Sequence, residues 1–337
     1  MKKLRVAQIG TGHDHASAVF ETLYGMRDRV EPVAWCIPED DRNAFQGSRL
    51  SHYHDLPKLT PEEILQPGFV DAVTVETQDI RLTKYALMAL EAGIPVHMDK
   101  PGAPDRASFA AMCDLAKKKE LPLSVGYMYR FNPALQRLFG MLEAGELGRV
   151  LYVNAEMSGC EDAWKRAWLG DYPGGFMYFL GCHLVDLIYR LQGEPLEVVP
   201  LNTASGLEGI ETTDCGFAAF RYERGTSFAR ATGAEHGGAM RRNIAVICEK
   251  GTFVLSPTEY LASTEPGASV DYLKTDFTLI TDPAWRAVGK RETTPVYHRY
   301  DAMLRHFFDR VEGLEETVYT PDYEKKLHDL LLRACGH

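Results

Sequence analysis

The first 125 residues alternate short apolar runs, rich in β-branched residues, with longer segments in which apolar residues recur every three or four positions. The short runs predict β-strands, and the longer segments predict helices between them. The predicted strands cover residues 4–9, 31–37, 70–75, 96–98 and 122–124, and the clearest helices cover 82–92 and 106–119. This alternation is typical of a doubly wound α/β domain, in which helices cover both faces of a parallel sheet.

The pattern changes after residue 126. A helix at 133–144, a strand at 149–157 and a helix at 174–191 precede strand-like runs at 217–222, 226–231, 243–248 and 252–255. Strands that follow one another directly indicate an α+β domain with an open, mostly antiparallel sheet. The region 256–294 predicts mainly loop, and two helices, 299–311 and 322–334, complete the chain. We therefore expect two domains, 1–125 and 126–337.

Composition supports two globular domains and narrows the choice of partners. A chain of 337 residues exceeds the roughly 250 to 300 residues that one hydrophobic core usually holds. Lys and Arg number 37 and Asp and Glu number 47, so the formal net charge is −10. An acidic protein is poorly suited to nucleic acid or to an anionic membrane surface. We expect a small-molecule partner and no membrane association, since the apolar segment 174–191 contains His183, Asp186 and Arg190.

The seven cysteines are scattered and form no CxxC pair. This spacing indicates neither a disulfide framework nor a structural zinc site. The basic N-terminal segment breaks at Gly10 and has no apolar core of the kind that signal peptides carry. We expect a cytoplasmic protein.

A glycine-containing loop follows the first predicted strand. Its sequence is Gly10-Thr11-Gly12-His13-Asp14-His15. Two glycines between a strand and a helix allow a tight turn and let backbone amides approach a pyrophosphate. His15 replaces the third glycine of the usual fingerprint, which weakens the motif. His13 and His15 could also bind a metal, but no third ligand stands near them in the sequence, and we predict none.

The end of the second predicted strand bears on the choice of cofactor. An acid there usually accepts hydrogen bonds from the ribose hydroxyls of NAD. Ile37 occupies this position, and Glu39 is the substitute acceptor. Arg42 could meet the 2′-phosphate of NADP, although a lone arginine is more often solvated. NAD(H) and NADP(H) both remain open, with NAD slightly favoured.

Polar residues also follow the other predicted strands of the first domain. They are Thr77, Gln78 and Asp79 after the third strand, Asp99, Lys100 and Pro101 after the fourth, and Tyr129, Arg130 and Asn132 shortly after the fifth. The carboxyl ends of parallel strands meet at one edge of the sheet, where ligands bind. Lys100 could act there as a general acid or base, or it could be an ordinary lysine in a surface turn.

Four segments carry a resemblance to a known family: VDAVTVET, ALEAGIPVHMDKP, GYMYRFNP and GGFMYFLGCHLVDLIYRLQG. In this order and spacing they resemble the Gfo/Idh/MocA family of sugar and cyclitol oxidoreductases, over residues 4 to about 255. The resemblance implies an N-terminal Rossmann domain, NAD(H) or NADP(H), and hydride exchange at a sugar or polyol carbon. It makes Lys100, within the Asp-Lys-Pro motif, the candidate catalytic lysine. It matches His183 to the histidine of an Asp-x-x-x-His motif and Asp186 to a position that supports the helix.

The sequence departs from the family pattern at three places. Phe179 stands one helical turn before His183, where the family carries an aspartate, and phenylalanine cannot transfer a proton. Gln78-Asp79 replaces Pro-Asn, and Leu82 replaces a histidine. Half of the usual acid/base pair is therefore missing, and we expect altered cofactor and substrate contacts.

The candidate site residues divide by role. Those expected to contact the cofactor are Gly10, Thr11, Gly12, His13, Asp14, His15, Ile37, Glu39, Thr77, Gln78, Asp79, Asp99, Lys100, Pro101, Tyr129 and Arg130. Those expected to contact substrate are Lys100, Tyr129, Asn132, Trp164, Trp168, Phe179 and His183. The two tryptophans lie in a predicted loop, where aromatic rings could stack on a sugar. Lys100 and His183 are the candidate catalytic residues.

Three functions are compatible with these residues. The leading hypothesis is an NAD(P)-dependent dehydrogenase or reductase acting on the CH–OH groups of a sugar, sugar acid, inositol or related polyol. The second is a lyase, epimerase or glycosidase that uses bound NAD for transient oxidation. The third is a catalytically silent nucleotide-binding sensor or partner protein. In each case the antiparallel sheet must cover its second face, which predicts a homodimer or homotetramer through the C-terminal sheet.

Overall fold

The computed structural model describes residues 2–41, 53 and 56–337. The chain forms two compact units. The first comprises Met1–Tyr127 and Tyr300–His328, and the second comprises Met128–Arg299 and Asp329–His337. Arg42, the candidate contact of a 2′-phosphate, lies outside the described residues.

The secondary structure alternates between strands and helices in the first unit and is dominated by strands in the second. The strands are β1 (Leu4–Ile9), β2 (Val30–Cys36), β3 (Ala72–Val75), β4 (Val96–Met98), β5 (Leu123–Val125), β6 (Val150–Ser158), β7 (Glu197–Pro200), β8 (Cys215–Arg221), β9 (Thr226–Thr232), β10 (Asn243–Cys248), β11 (Gly251–Leu255), β12 (Tyr260–Leu261), β13 (Tyr272–Lys274), β14 (Asp276–Ile280), β15 (Lys290–Thr293) and β16 (Tyr297–His298). The helices are α1 (Ala16–Gly25), α2 (Pro61–Ile64), α3 (Leu82–Glu91), α4 (Arg106–Lys118), α5 (Pro133–Glu143), α6 (Ala163–Trp168), α7 (Cys182–Gln192), α8 (Asp301–Val311) and α9 (Pro321–Ala334).

A five-stranded parallel sheet forms the centre of the first unit. Its strand order is β2-β1-β3-β4-β5. All four residues of β3 are buried, as expected for a strand covered on both faces. The doubly wound domain predicted from the sequence is confirmed. The order reverses direction between β1 and β3, and the carboxyl ends of these two strands therefore form the topological switch point where ligands bind in such sheets.

Helix α8, which follows the residues of the second unit along the chain, packs within the first unit through charged side chains. Arg29, just before β2, pairs with Asp309 of α8 at 2.7 Å and also with Glu312. Arg310 of the same helix donates a hydrogen bond to the carbonyl oxygen of Leu123 at 2.8 Å. These contacts attach α8 to the start of β2 and to β5, the two edge strands of the parallel sheet.

An eight-stranded sheet forms the centre of the second unit, in the order β15-β14-β11-β10-β6-β9-β8-β7. Only β6 and β9 pair in parallel, and the other neighbours in this sheet are antiparallel. This confirms the open, mostly antiparallel sheet. Side chains alternate along each strand, and in β10 Ile244, Val246 and Cys248 are buried while their neighbours are half-buried. A smaller sheet of β12, β13 and β16 lies beside it in the chain.

Three segments of the second unit differ from the sequence-based expectation. The predicted loop 256–294 contains β14 and β15, which extend the large sheet because they pair with β11 and with each other. The predicted loop around Trp164 and Trp168 is helix α6, whose first turn is capped by the Asp162 carboxylate accepting from the Lys165 amide at 2.8 Å.

The predicted helix 174–191 begins later than expected. Gly174 and Gly175 have φ values of +70° and +52°, a left-handed backbone that cannot start a right-handed helix. A π-helical turn, Met177–Gly181, comes first and leads into α7. None of the helices in the described part of the chain combines the length and apolar composition that a membrane crossing requires.

Candidate functional site

The loop after β1 lies against the loop after β3 at the switch point. Gly10 has a φ of +93°, and a Cβ atom there would lie 2.5 Å from the Thr77 methyl carbon and 2.6 Å from its backbone nitrogen. Only glycine fits this close approach. The loop then enters α1 at Ala16, so the amino end of a ten-residue helix faces the switch point.

Two features of this loop fit a dinucleotide. Thr11 is buried, and its hydroxyl has no hydrogen-bond partner among the described residues. A buried hydroxyl at a helix N-terminus is a suitable donor to a phosphate oxygen. The glycine turn leaves the backbone amides close to the same place, as pyrophosphate binding requires. Gly10 thus forms the tight turn of this loop, and Thr11 offers a hydroxyl at the helix N-terminus.

A cavity of about 780 Å³ opens beyond the carboxyl end of β2, where the adenosine part of a dinucleotide binds in this fold. Its lining includes Ile37 and Glu39, as expected from the sequence. The charged residues of the lining are Glu39, Asp40, Glu62, Glu63, Lys58 and Lys84. Lys84 is already paired with Asp40 at 2.6 Å. The described lining therefore carries more negative than positive charge.

Asp41 is a buried acid that the sequence reasoning missed. Its Oδ1 accepts a hydrogen bond from the backbone amide of Gln78 at 2.9 Å and thereby joins the loops after β2 and β3. Burial raises the pKa of Asp41 to about 6, against the opposing hydrogen bond from Gln78. The acidic run at residues 39–41 was the signal that could have identified it.

Five candidate residues of the first unit form one cluster at the ends of β1, β3 and β4. They are His13, His15, Asp79, Asp99 and Lys100. Oδ2 of Asp99 lies 3.0 Å from Nδ1 of His15 and 3.3 Å from Nδ1 of His13. Oδ1 of Asp79 lies 3.5 Å from Nε2 of His13 and 3.9 Å from Nζ of Lys100. All except His15 are buried, so their charges compensate one another rather than being solvated.

The protonation states in this cluster follow from its geometry. Burial by itself would lower the pKa of His13, but the carboxylates of Asp99 and Asp79 outweigh it and raise that pKa. Burial lowers the pKa of His15, although Asp99 partly opposes the change. For Asp99, the two imidazoles outweigh burial and hold its pKa well below the usual range. The inner histidine therefore favours the protonated form and the outer one the neutral form.

One assumption made from the sequence was wrong. His13 and His15 do have a third potential ligand beside them, because the donor atoms of both rings and of Asp99 lie within 4.8 Å of one another. Asp99 lies 84 residues from His15 and could not be recognised by spacing. Nδ1 of His13 also accepts the backbone N–H of His15 at 3.1 Å, so the lone pair of this atom is engaged by a hydrogen bond.

Glu76, the last residue before Thr77, is a second buried acid that the sequence reasoning missed. Its side chain is fully buried at the end of β3. Burial raises the pKa of Glu76 well above its usual range, and the neighbouring carboxylate of Asp99 raises it further. Glu76 therefore retains a proton beside the ionised Asp99. Glu76 belongs to the motif VDAVTVET, but the sequence alone does not indicate whether an acid at the end of an apolar strand is buried.

The remaining cofactor candidates of the first unit have less distinctive positions. Asp14 is half-buried, and Pro101 is buried. The Thr77 hydroxyl donates to the carbonyl oxygen of Gln78 at 3.4 Å. Asp99 also accepts the backbone amide of Lys100 at 2.7 Å, which orients the start of the lysine loop.

In the second unit, His183 lies on α7 beside Tyr129. Their ring centroids are 5.0 Å apart, edge to face. The Tyr129 hydroxyl donates to Glu259 at 2.9 Å, and Arg242 donates to the same hydroxyl at 3.3 Å. Burial is the main reason that the pKa of Tyr129 is raised, so its hydroxyl stays protonated. The structure thus brings together two of the predicted substrate residues, Tyr129 and His183.

Two other candidates have structural contacts in the same unit. The Arg130 guanidinium donates to the carboxylate of Asp186 at 2.8 Å, and both side chains are buried. This pair joins the segment before α5 to α7, in keeping with the supporting role expected of Asp186. The Asn132 side chain caps α5 by accepting from the Ala134 amide, and its NH₂ group donates to Thr275.

The predicted aromatic wall forms a separate cluster. Phe179 packs edge to face on Trp168 at 5.9 Å, and the Lys165 ammonium lies 4.5 Å from the centre of the Phe179 ring. Trp164 stacks on Trp168 at 6.2 Å and is more than half exposed. Phe179 thus occupies the expected position of an acid with an apolar ring packed against aromatic neighbours.

Comparisons with known proteins agree on one family. The chain matches a model described as an oxidoreductase family with an NAD-binding Rossmann fold over residues 4–127, and a GFO/IDH/MocA C-terminal domain model over residues 135–254. It is 26% identical over 260 residues to inositol 2-dehydrogenase 4 of Saccharopolyspora erythraea, an alignment that covers 74% of this chain and 73% of the relative. It is 34% identical over 154 residues to inositol 2-dehydrogenase of Corynebacterium glutamicum strain R, which covers 44% of each.

Solved structures show the same fold. The WlbA dehydrogenase from Bordetella pertussis, crystallised with NADH and UDP-GlcNAcA, superimposes with a TM-score of 0.75 at 19% identity. The superposition covers 99% of this chain and 97% of that one. At this level of identity the likeness concerns the fold alone.

Glu76→Gln tests the buried proton at the switch point. A raised carboxyl pKa means that the folded chain holds this proton to higher pH than the unfolded chain does. The wild type should therefore lose stability relative to the variant as pH rises above the ordinary glutamate pKa of about 4.3. In urea denaturation we expect the advantage of the variant to grow between about pH 5 and pH 8, by up to ~1.4 kcal/mol per pH unit, and to vanish near pH 4.

The matched control is Glu91→Gln, since Glu91 is exposed on α3. Its stability difference should stay nearly constant over the same range. A pH-independent difference for Glu76→Gln would show that Glu76 is ionised in the folded protein.

Proposed function

The chain belongs to the Gfo/Idh/MocA family of NAD-binding oxidoreductases, and from this premise we propose that it transfers a hydride between a nicotinamide cofactor and a CH–OH carbon of a sugar, sugar acid, inositol or related polyol. The observation that carries the proposal is Lys100, an ammonium side chain only 3% exposed, at the carboxyl end of β4 in the dinucleotide-binding unit. A buried lysine at this edge of the sheet is positioned for chemistry rather than for solvation. Inositol as a substrate is suggested by the names of the two relatives.

The bound nicotinamide would supply the hydride acceptor or donor. Lys100 would hold the reacting oxygen by a hydrogen bond and exchange a proton with it. Asp79 keeps the lysine oriented through the contact of 3.9 Å between Oδ1 and Nζ. His183, matched to the family histidine, is proposed as the second catalytic residue, with Tyr129 orienting its ring.

Lys100→Met tests the proposed role of the lysine. Methionine preserves most of the length and volume of the side chain but cannot carry a proton. Turnover of myo-inositol, or of the most active polyol in a screen, should fall by roughly 10²- to 10⁴-fold. NADH binding, followed by nicotinamide fluorescence, should change by less than about two-fold in Kd, a difference below ~0.4 kcal/mol.

The control for this substitution is Lys118→Met, an exposed lysine in the last turn of α4. It should leave turnover unchanged. Full activity of a purified Lys100→Met protein would exclude Lys100 as the acid/base group. Tight NADH binding with no turnover by the wild type on any polyol would favour the catalytically silent function instead.

The charge of the adenosine-side cavity leads us to propose NAD(H) as the physiological cofactor. Four carboxylates and two ammonium groups line it among the described residues, and a 2′-phosphate would add further negative charge. We expect NADH to bind at least about ten-fold more tightly than NADPH, a difference of ~1.4 kcal/mol. Parallel fluorescence titrations measure both constants. Tighter binding of NADPH would contradict the proposal.

We also propose that the protein is a homo-oligomer through the large sheet of the second unit. One face of this sheet is buried, while the other carries half-exposed apolar side chains that include Tyr152, Phe217 and Phe228. A second copy, related by two-fold symmetry, would cover this face with the same surface. Sedimentation equilibrium should give at least twice the mass of one chain. Phe228→Glu should reduce that mass, and a monomeric wild type would contradict the proposal.

A further inference from the structure

The buried cluster of the first unit forms a continuous series of proton-carrying groups. Lys100 lies at one end and faces Asp79 across 3.9 Å. Asp79 faces Nε2 of His13 at 3.5 Å, and the other ring nitrogen of His13 faces Asp99 at 3.3 Å. Asp99 faces Nδ1 of His15 at 3.0 Å. The side chain of His15 is 16% exposed, whereas those of the inner four groups are at most 3% exposed.

We propose that Asp79, His13, Asp99 and His15 are a proton relay that connects Lys100 with solvent. The proposal rests on the proposed function of Lys100 as the acid/base group. It adds to that function four residues that would carry the proton in a defined order, with His15 as the residue that releases it to solvent. Two of them, His13 and His15, come from the phosphate-binding loop, whose residues the sequence assigned to cofactor contact alone.

Proton balance makes such a path necessary. Oxidation of a secondary alcohol breaks its C–H and O–H bonds. The nicotinamide would take the hydride with its two electrons, and the hydroxyl proton would pass to Lys100 once its ammonium group has given one of its own protons to Asp79. The lysine must then release that proton before the next turnover, yet its side chain is nearly inaccessible to water. Phe179, at the position of the expected acid, cannot accept it.

The groups around each histidine favour transfer in this order. His13 is flanked by two carboxylates, Asp79 and Asp99, which stabilise its charged ring while a proton passes from Nε2 to Nδ1. Protonation at Nδ1 exchanges the hydrogen bond that this atom accepts from the His15 amide for one that it donates to Asp99. His15 faces Asp99, His13 and Lys100, and its preference for the neutral form lets it pass a proton to water. Glu76, protonated beside Asp99, keeps a second negative charge out of the middle of the relay.

The distances between neighbouring groups of the relay differ. The two contacts of Asp99 lie at hydrogen-bond distance or slightly beyond it, while the two contacts of Asp79 are longer. Catalytic hydrogen bonds often shorten only when substrate is bound, and a single water can also bridge such a gap. A rotation of the Asp79 carboxylate between Lys100 and His13 would serve both of its contacts.

His15→Gln tests the exit of the relay. Glutamine can accept a hydrogen bond but cannot carry a proton. In polyol oxidation we expect kcat to fall by about 10- to 100-fold, with KM and the Kd of NADH within about two-fold. In a second variant, His15→Ala, the space of the missing ring opens Asp99 to solvent, and imidazole added to the buffer should restore much of the lost kcat. The solvent deuterium isotope effect on kcat should increase, since proton release becomes rate-limiting.

His306→Gln is the matched control. His306 on α8 also pairs with a carboxylate, Glu315, at 2.9 Å, but it lies outside the cluster. Its substitution should leave kcat and the isotope effect unchanged. If His15→Gln keeps full kcat, His15 carries no proton during turnover and the relay is excluded. The relay is also excluded if the loss of kcat comes with a proportional rise in the Kd of NADH and imidazole restores no activity to His15→Ala, because His15 then serves the cofactor.

Asp79→Asn tests the inner part of the relay with a readout that does not depend on turnover. The pKa of His13, followed by nitrogen-15 NMR of the imidazoles in the full-length protein, should fall when Asp79 loses its charge, while that of His15 should change little. An unchanged His13 pKa would overturn the relay, even if the wild type oxidises polyols normally. Absence of turnover in the wild type, with the NMR result as expected, would instead reject the proposed function and leave the proton coupling intact.

Discussion

Mutual compensation of buried charge at the carboxyl ends of β1, β3 and β4 is the constraint on which the candidate site depends. A single carboxylate or ammonium removed from water without a partner costs several kcal/mol. Here Asp79 and Asp99 are compensated by His13 and Lys100, and Glu76 avoids the cost by keeping its proton. Because each group depends on the others, the loops after three different strands must hold one relative position.

Buried charges are also paired in the second unit, where a single ion pair is involved. Arg130 and Asp186 form one buried pair that links the segment before α5 to α7, the helix that carries His183. Burial still raises the pKa of Asp186, with Arg130 opposing the shift. The pair therefore positions a candidate catalytic helix at some energetic cost, which is a common use of ionic groups in protein interiors.

Phe179 stands where the family resemblance implies an aspartate, and the acid beside Lys100 is Asp79 of the dinucleotide-binding unit. An apolar ring packed on Trp168 stabilises the second unit but contributes nothing to proton transfer. Asp79 and His13 are placed to take over this part of the chemistry from within the dinucleotide-binding unit. A site can thus retain its reaction class while the residues that move its protons change.

The sequence by itself determined the architecture and singled out Lys100 as the candidate catalytic lysine. Periodicity of apolar residues is a local property, so β1, β4 and β10 were predicted at their observed bounds, and the order of motifs was sufficient for the family. Only the tertiary structure decided which polar residues meet. Asp99 reaches His15 across 84 residues, and Glu76 and Asp41 become functional candidates through burial alone. Likewise β14 and β15 are strands because they pair with β11 and with each other. Strand pairing, burial and the resulting pKa shifts all depend on spatial neighbours that the linear chain does not specify.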